Sequence, residues 1–172
     1  MEKGRTEKVI NVELSFKRSE LLYDIENYSF VEGDIMETEN VHARHQTMDA
    51  GQEGNENRIT RILNLAHWEC VEMLYPYTKE QCTNTTLDDT LESPDTYSIK
   101  LKLPGGFSGT TLNLLKGLIH EYLVCRAMED WMSITNPKSQ ENWRDKLINL
   151  KTRIQTCLMS RRGPVLRKMR PF

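Results

Sequence analysis

The side chains able to carry chemistry are few: four histidines, four cysteines and one glycine-serine run in 172 residues. His42 and His45 stand three apart with Asp49 nearby, a spacing that could begin a metal site, but the polar segment around them supplies no convincing third ligand. His120-Glu121 opens like the H-E-x-x-H helix of a zinc protease, yet Val124 occupies the place of the second histidine. His67, within His67-Trp68-Glu69, falls on an amphipathic helical pattern and reads as a helix-surface histidine. Ser108 lies in the run Pro104-Gly105-Gly106-Phe107-Ser108-Gly109. A phosphate loop needs G-x-x-x-x-G-K-[ST] and no Lys-Ser or Lys-Thr follows these glycines. A nucleophile elbow needs G-x-S-x-G, and the spacing here is wrong. A flexible turn with Ser108 or Thr110 as N-cap explains the run. Cys70, Cys82, Cys125 and Cys157 show no C-x-x-C and no regular spacing. Three of them sit at apolar positions of helical patterns, as small buried hydrophobes in a reducing compartment do. The acid pairs Asp88-Asp89 and Glu129-Asp130 read as solvated faces. No catalytic, cofactor or metal site assembles from these residues, and the expectation is a protein that is not an enzyme and carries no cofactor.

Composition bounds the rest. With 38% hydrophobic and 28% charged residues, the chain is long enough for one domain with a core of its own. Mean hydropathy is −0.61. No apolar run approaches the ~20 residues that cross a bilayer, and the start MEKGRTEKVINVE has no apolar h-region, so membrane and secreted classes are excluded as expectations. The formal net charge of −2 hides a split. Residues 19–95 hold 17 acids against Arg44, Arg58, Arg61 and Lys79, a balance of −13, whereas 151–172 hold seven bases and no acid. Such asymmetry asks for a partner: nucleic acid, an acidic protein surface or the acidic part of a neighbouring copy.

The basic end is the most informative segment. As a nucleic-acid binder it would contact phosphates through Arg161, Arg162, Arg167, Lys168 and Arg170, with salt-sensitive affinity. Its only aromatic is Phe172, too little for a stacking platform. As a docking extension it offers Val165, Leu166, Met169 and Phe172 as apolar anchors among those cations. The mixture favours docking.

The elements that would position these features follow from periodicity. Ile10, Val12, Leu14 and Phe16 alternate with polar residues, as do Tyr97, Ile99, Leu101 and Leu103, predicting strands near 8–17 and 96–103. Ser19 can cap a helix carrying Leu21, Leu22, Ile25 and Tyr28 and ending near Gly33. Residues 37–57 turn polar and read as a long loop or arm, and 79–95 as a second. Residues 58–78 give the clearest helix, with Ile59, Ile62, Leu63, Ala66, Cys70, Met73, Leu74 and Tyr77 on one stripe and Pro76 near its end. Residues 109–134 are apolar on more than one face, the mark of a central helix. Asn136-Pro137 opens a last helix with Trp143, Leu147, Leu150, Ile154 and Leu158 on one seam, ending at Arg161-Arg162-Gly163. The fold expected is mainly α, a three- to four-helix bundle over 1–160 with two added strands, followed by a docking extension at 161–172. Two strands alone are marginal in water. They are expected to pair, either as a ribbon lying on the bundle or as a sheet completed by a neighbouring subunit through Ile10, Val12, Leu14, Ile99 and Leu101.

The phrases INVELSFKRSELLYDIENYSFVEGDIM, HARHQTMDAGQEGNENRITRILNLAHWECVEMLYP and LIHEYLVCRAMEDWMSITNPKSQENWRDKL resemble the head-to-tail connector (adaptor) ring proteins of crAss-like phages of Bacteroides, over roughly residues 9–160. The resemblance implies a virion component assembled in the bacterial cytoplasm. It implies a homo-oligomeric ring, dodecameric in such connectors, stacked below the portal, through which DNA passes without sequence-specific binding. By position in the chain, 161–172 would dock on the portal or the next ring, and 40–57 would contact a neighbour or line the channel. An acidic inner wall would repel phosphates and let the genome slide. The alternative is a DNA-binding regulator of a mobile element that uses the basic C-terminal tail.

Overall fold

A computed structural model describes residues 8–159. The expected strands are present as β1 (Val9–Lys17) and β2 (Thr96–Pro104). They pair antiparallel from Val9 opposite Pro104 to Lys17 opposite Thr96. Alternation puts Leu14 and Phe16 of β1 and Tyr97, Ile99, Leu101 and Leu103 of β2 in the core, with charged residues on the other face.

Helix α1 (Arg18–Asp34) leaves β1 without a break. Lys17 occupies its N-cap and gives no side-chain cap, so Ser19 does not start it. The junction is held by Arg18 instead: its backbone N–H donates to the Asp95 carbonyl at 2.9 Å, and its guanidinium reaches Glu56 Oε1 at 3.1 Å.

The segment 37–57 is not the loop or arm expected. It contains α2 (Val41–Met48), a 3₁₀ turn at Asp49–Gly51 and the first turn of α3 (Glu53–Met73). Asn40 caps α2, its Oδ1 accepting from the N–H groups of His42 and Ala43. With hardly an aliphatic side chain, α2 is tied down by polar contacts. Trp131 Nε1 donates to the Thr47 carbonyl at 2.9 Å, and Ser29 Oγ to the Met48 carbonyl at 3.4 Å. Gly33, which had read as a helix terminator, is inside α1, where the two helices nearly touch. A Cβ there would stand 2.5 Å from Met48 Cγ and 2.9 Å from the Arg44 carbonyl oxygen.

Helix α3 starts at Glu53, ahead of the expected Arg58, and stops at Met73, before Pro76. Its buried stripe is Ile59, Ile62, Leu63, Ala66 and Cys70. Residues 79–95 are irregular, as expected. Helix α4 (Gly109–Thr135) is the central one. It is buried on several faces, from Leu115, Leu118 and Ile119 through Leu123, Val124 and Met128 to Trp131 and Met132, and it touches α1, α2, α3 and α5. Helix α5 (Pro137–Met159) packs along it through Trp143, Leu150, Ile154 and Leu158. One connected core runs through both strands and all these helices except α2, and five α-helices stand among the described residues. The expected helix end at 161–163 and the extension 161–172 lie outside those residues.

The α1–α2 crossing makes a direct prediction. Gly33→Ala forces Met48 and the Arg44 carbonyl to move and should cost about 1–3 kcal/mol by overpacking. Gly54→Ala, at a position where a Cβ meets nothing within 4 Å, should leave stability unchanged or slightly raised. Urea denaturation of the two variants checks this. Equal midpoints would mean that α2 does not pack as described.

Candidate functional site

The side chains with chemical potential are mostly engaged in holding the fold. Ser108 caps α4, its Oγ accepting from the Thr111 N–H at 3.4 Å. His67 is not on the surface: it is 8% exposed, with Nε2 2.8 Å from the Ser98 carbonyl of β2 and its ring against Tyr97 and Trp68. Burial pushes its pKa down, partly opposed by the carbonyl bond. The neutral ring therefore donates Nε2–H to Ser98. His120 Nε2 lies 2.7 Å from Asp24 Oδ2 and ties α4 to α1. His42 and His45 are on α2, and among the described residues no three His, Cys, Asp or Glu side chains converge as a metal cage. Cys70, Cys125 and Cys157 are buried, and desolvation raises the Cys125 thiol to about 11. Cys82 is exposed.

One acid pair departs from expectation. Glu129 is not a solvated side chain; it accepts from Arg126 at 3.1 Å, Gln140 at 2.9 Å and Arg144 at 3.3 Å, drawing α5 onto α4. Asp130 takes both nitrogens of a fork from Arg58, joining α4 to α3.

What the fold leaves available is surface, and its sheet is asymmetric. Tyr77 and Gln81 cover the outer edge of β2. The Lys102 N–H donates to the Tyr77 carbonyl at 2.9 Å and the Lys100 N–H to Gln81 Oε1 at 2.6 Å. The Ser98 carbonyl accepts from Gln81 Nε2 as well as lying against His67. Since backbone groups alternate in direction along a strand, the even residues of β2 face away from β1. The register then turns the N–H and C=O groups of Asn11, Glu13 and Ser15 away from β2. No hydrogen bond to these three residues occurs among the described residues beyond the ladder. Among the described residues, one edge of the sheet is closed by the chain itself and the other has no partner.

The residues expected to face a neighbour divide accordingly. Leu14, Ile99 and Leu101 are fully spent in the chain's own core, and Val12 packs against it. Ile10, 37% exposed, is the one whose side chain a neighbour could reach. The open backbone edge, not the apolar side chains, is what β1 offers. The tail residues Arg161, Arg162, Val165, Leu166, Arg167, Lys168, Met169, Arg170 and Phe172 lie outside the described residues.

A second surface lies along α3. Arg61, Asn64 and Trp68 face the irregular segment 79–95, and the groove between them, of about 540 Å³, is lined also by Cys82, Leu87, Asp88, Asp89, Leu91 and Glu92. Sequence reasoning missed both features. Gln81 and Tyr77 carry no signal of edge-capping, because hydrogen bonds to a distant strand leave no local period. Leu87 and Leu91 were visible as isolated apolar residues in a polar stretch.

His67 yields a pH prediction. Its folded pKa is below the ordinary 6.5, so the unfolded chain binds the proton more readily. Its contribution to stability is intact above about 6.5 and declines as pH falls below that value. His67→Gln should lose this component, so the stability difference between the native protein and the variant should shrink from pH 7.5 to about pH 5. Chemical denaturation across that range measures it, and a constant difference would mean that His67 is not buried neutral. Comparison of the chain with protein-family models, with curated proteins and with solved structures returns no match.

Proposed function

We propose that the chain is a structural subunit of a homo-oligomeric ring in the head-to-tail connector of a tailed phage, a dodecamer stacked on the portal through which DNA passes. The reading rests on the resemblance over residues 9–160 and on one structural observation, the single open edge of β1. Natural proteins seldom leave a sheet edge bare. Here Tyr77 and Gln81 cover one edge, while Asn11, Glu13 and Ser15 present backbone without a partner among the described residues on the other. A strand of an adjacent copy adds there by main-chain hydrogen bonding. Ile10 supplies an apolar contact beside the edge. The polar clusters that could suggest catalysis serve as joints between helices, and the subunit acts by assembly. The basic extension 161–172 is the docking arm.

Native mass spectrometry of the protein, alone and mixed with the portal, tests this. A closed oligomer of about a dozen copies is the expected species. A monomer that ignores the portal and shifts labelled DNA with a steep salt dependence would replace the connector by the DNA-binding regulator.

A single residue sharpens the test. Glu13→Pro removes an N–H that faces outward, which the edge of an isolated subunit tolerates. The variant should keep native helix content by circular dichroism and fail to form the closed oligomer. Val12→Pro removes a bond inside the ladder and should unfold the subunit. Normal assembly of the Glu13→Pro protein would show that β1 is not the contact.

A further inference from the structure

We infer that the groove between α3 and residues 79–95 is the seat for the C-terminal segment 161–172 of a second copy of this chain. The inference deepens the assembly reading and rests on it.

The groove combines apolar surface with negative charge. Trp68 is 45% exposed and Leu87 77% exposed, and Leu65, also exposed, extends the apolar surface along α3. Asp88, Asp89 and Glu92 line the groove against one cation, Arg61. Both walls are held in place. Asn64 Nδ2 donates to the Glu92 carbonyl at 2.8 Å, and Tyr97 O–H donates to Asn64 Oδ1 at 2.7 Å, so a β2 side chain fixes the amide that anchors the irregular segment to α3. The Thr90 N–H donates to Asp88 Oδ1 at 3.0 Å, which sets the turn carrying the acids.

The occupant is identified by complementarity. Segment 161–172 carries Arg161, Arg162, Arg167, Lys168 and Arg170 with no acid, and Val165, Leu166, Met169 and Phe172 as anchors. Cations meet carboxylates and aliphatic side chains meet Trp68 and Leu87, which gives both register and affinity. An arginine also stacks well on an exposed indole. Helix α5, which leads to the segment, packs along α4 and only slightly on α3. The groove and the helix that carries the segment are therefore different patches, and joining one to the other successively from copy to copy gives a heterologous contact, the kind that closes into a ring when the rotation allows.

Cys82 lines this groove and is the exposed one of the chain's four cysteines. Full-length protein grown with ordinary nitrogen is mixed with nitrogen-15 protein, allowed to exchange, and treated with a maleimide–succinimide cross-linker. Linked peptides joining Cys82 to Lys168 and containing one light and one heavy partner are expected. Asp88→Lys/Asp89→Lys should lower their yield about tenfold, a loss of about 1.4 kcal/mol, and Arg167→Glu/Arg170→Glu in the partner chain should restore it. Leu87→Asp should lower it without changing the thermal midpoint. Isotopically pure linked peptides alone would assign the groove to the chain's own tail and overturn the inference, as would cross-links from Lys168 only to the portal. If native mass spectrometry shows the closed oligomer while the Cys82–Lys168 link is absent, the groove assignment fails and the connector reading stands. If neither oligomer nor portal complex forms, the connector reading itself fails.

Discussion

Two strands separated by three of the five α-helices of the described residues must pair before either has a sheet face to bury, and the architecture depends on that pairing. Neither β1 nor β2 has a local partner, and a two-stranded ribbon is marginal unless its apolar face is covered. Leu14 and Phe16 from one strand and Tyr97, Ile99, Leu101 and Leu103 from the other form that face. Helix α3 reaches it directly, through His67 at the Ser98 carbonyl and Asn64 at the Tyr97 hydroxyl. Arg18 marks how tightly the parts are coupled: it follows β1 directly, bonds the Asp95 carbonyl just ahead of β2, and reaches Glu56 on α3. One residue thus ties the start of α1, the approach to β2 and the start of α3. Closing so long a loop costs entropy before any contact rewards it, so the helices between the strands must contribute their own packing to the same core.

Polar joints then fix how the helices meet. Glu32 on α1 accepts from Trp143 Nε1 at 3.0 Å and Ser139 Oγ at 2.7 Å on α5. Glu69 on α3 accepts from Tyr122 O–H at 2.8 Å on α4, and desolvation together with that carboxylate holds the phenol strongly protonated. A hydrogen bond to a charged group is worth about 1.5–3 kcal/mol, so these joints add to stability as well as fixing orientation. Burial of the residues around α4 supplies the free energy, at about 25 cal/mol per Å² of apolar surface. Among the acids of residues 19–95, Asp24, Glu32, Glu56 and Glu69 sit at joints between elements.

Where periodicity is carried by side chains, the sequence was readable. Both strands, the amphipathic stripe of α3, the many-faced α4 with its Ser108 cap and the α5 seam all follow from local pattern. Three features were not readable, and each depends on something non-local. Helix α2 has almost no aliphatic residues and is held by Trp131 and Ser29 from other elements. Gly33 looks like a helix end in sequence because its real reason, the approach of Met48, belongs to another helix. Glu129 looks solvated because the residues that cover it, Gln140 and Arg144, belong to α5. The candidate surface was half legible. The charge split is visible in the sequence, and the docking tail read from it lies outside the described residues; which strand edge is covered rests on Gln81 and Tyr77, whose role no spacing reveals.

For the proposed ring, the covered edge is as strong a constraint as the uncovered one. A sheet with two bare edges could add copies on both sides and grow without limit, the hazard that edge-covering devices prevent. With Tyr77 and Gln81 across β2, the edge left for sheet pairing among the described residues is that of β1. If β1 met β1 of a neighbour, the contact would be isologous and association would stop at a pair. A ring therefore needs a second contact joining unlike patches. The charge distribution favours unlike patches, because acids crowd residues 19–95 and bases crowd 151–172. Unlike patches attract whether two copies meet reciprocally or head to tail, so the electrostatics select which surfaces join, and the rotation between copies decides whether they close as a pair or as a ring.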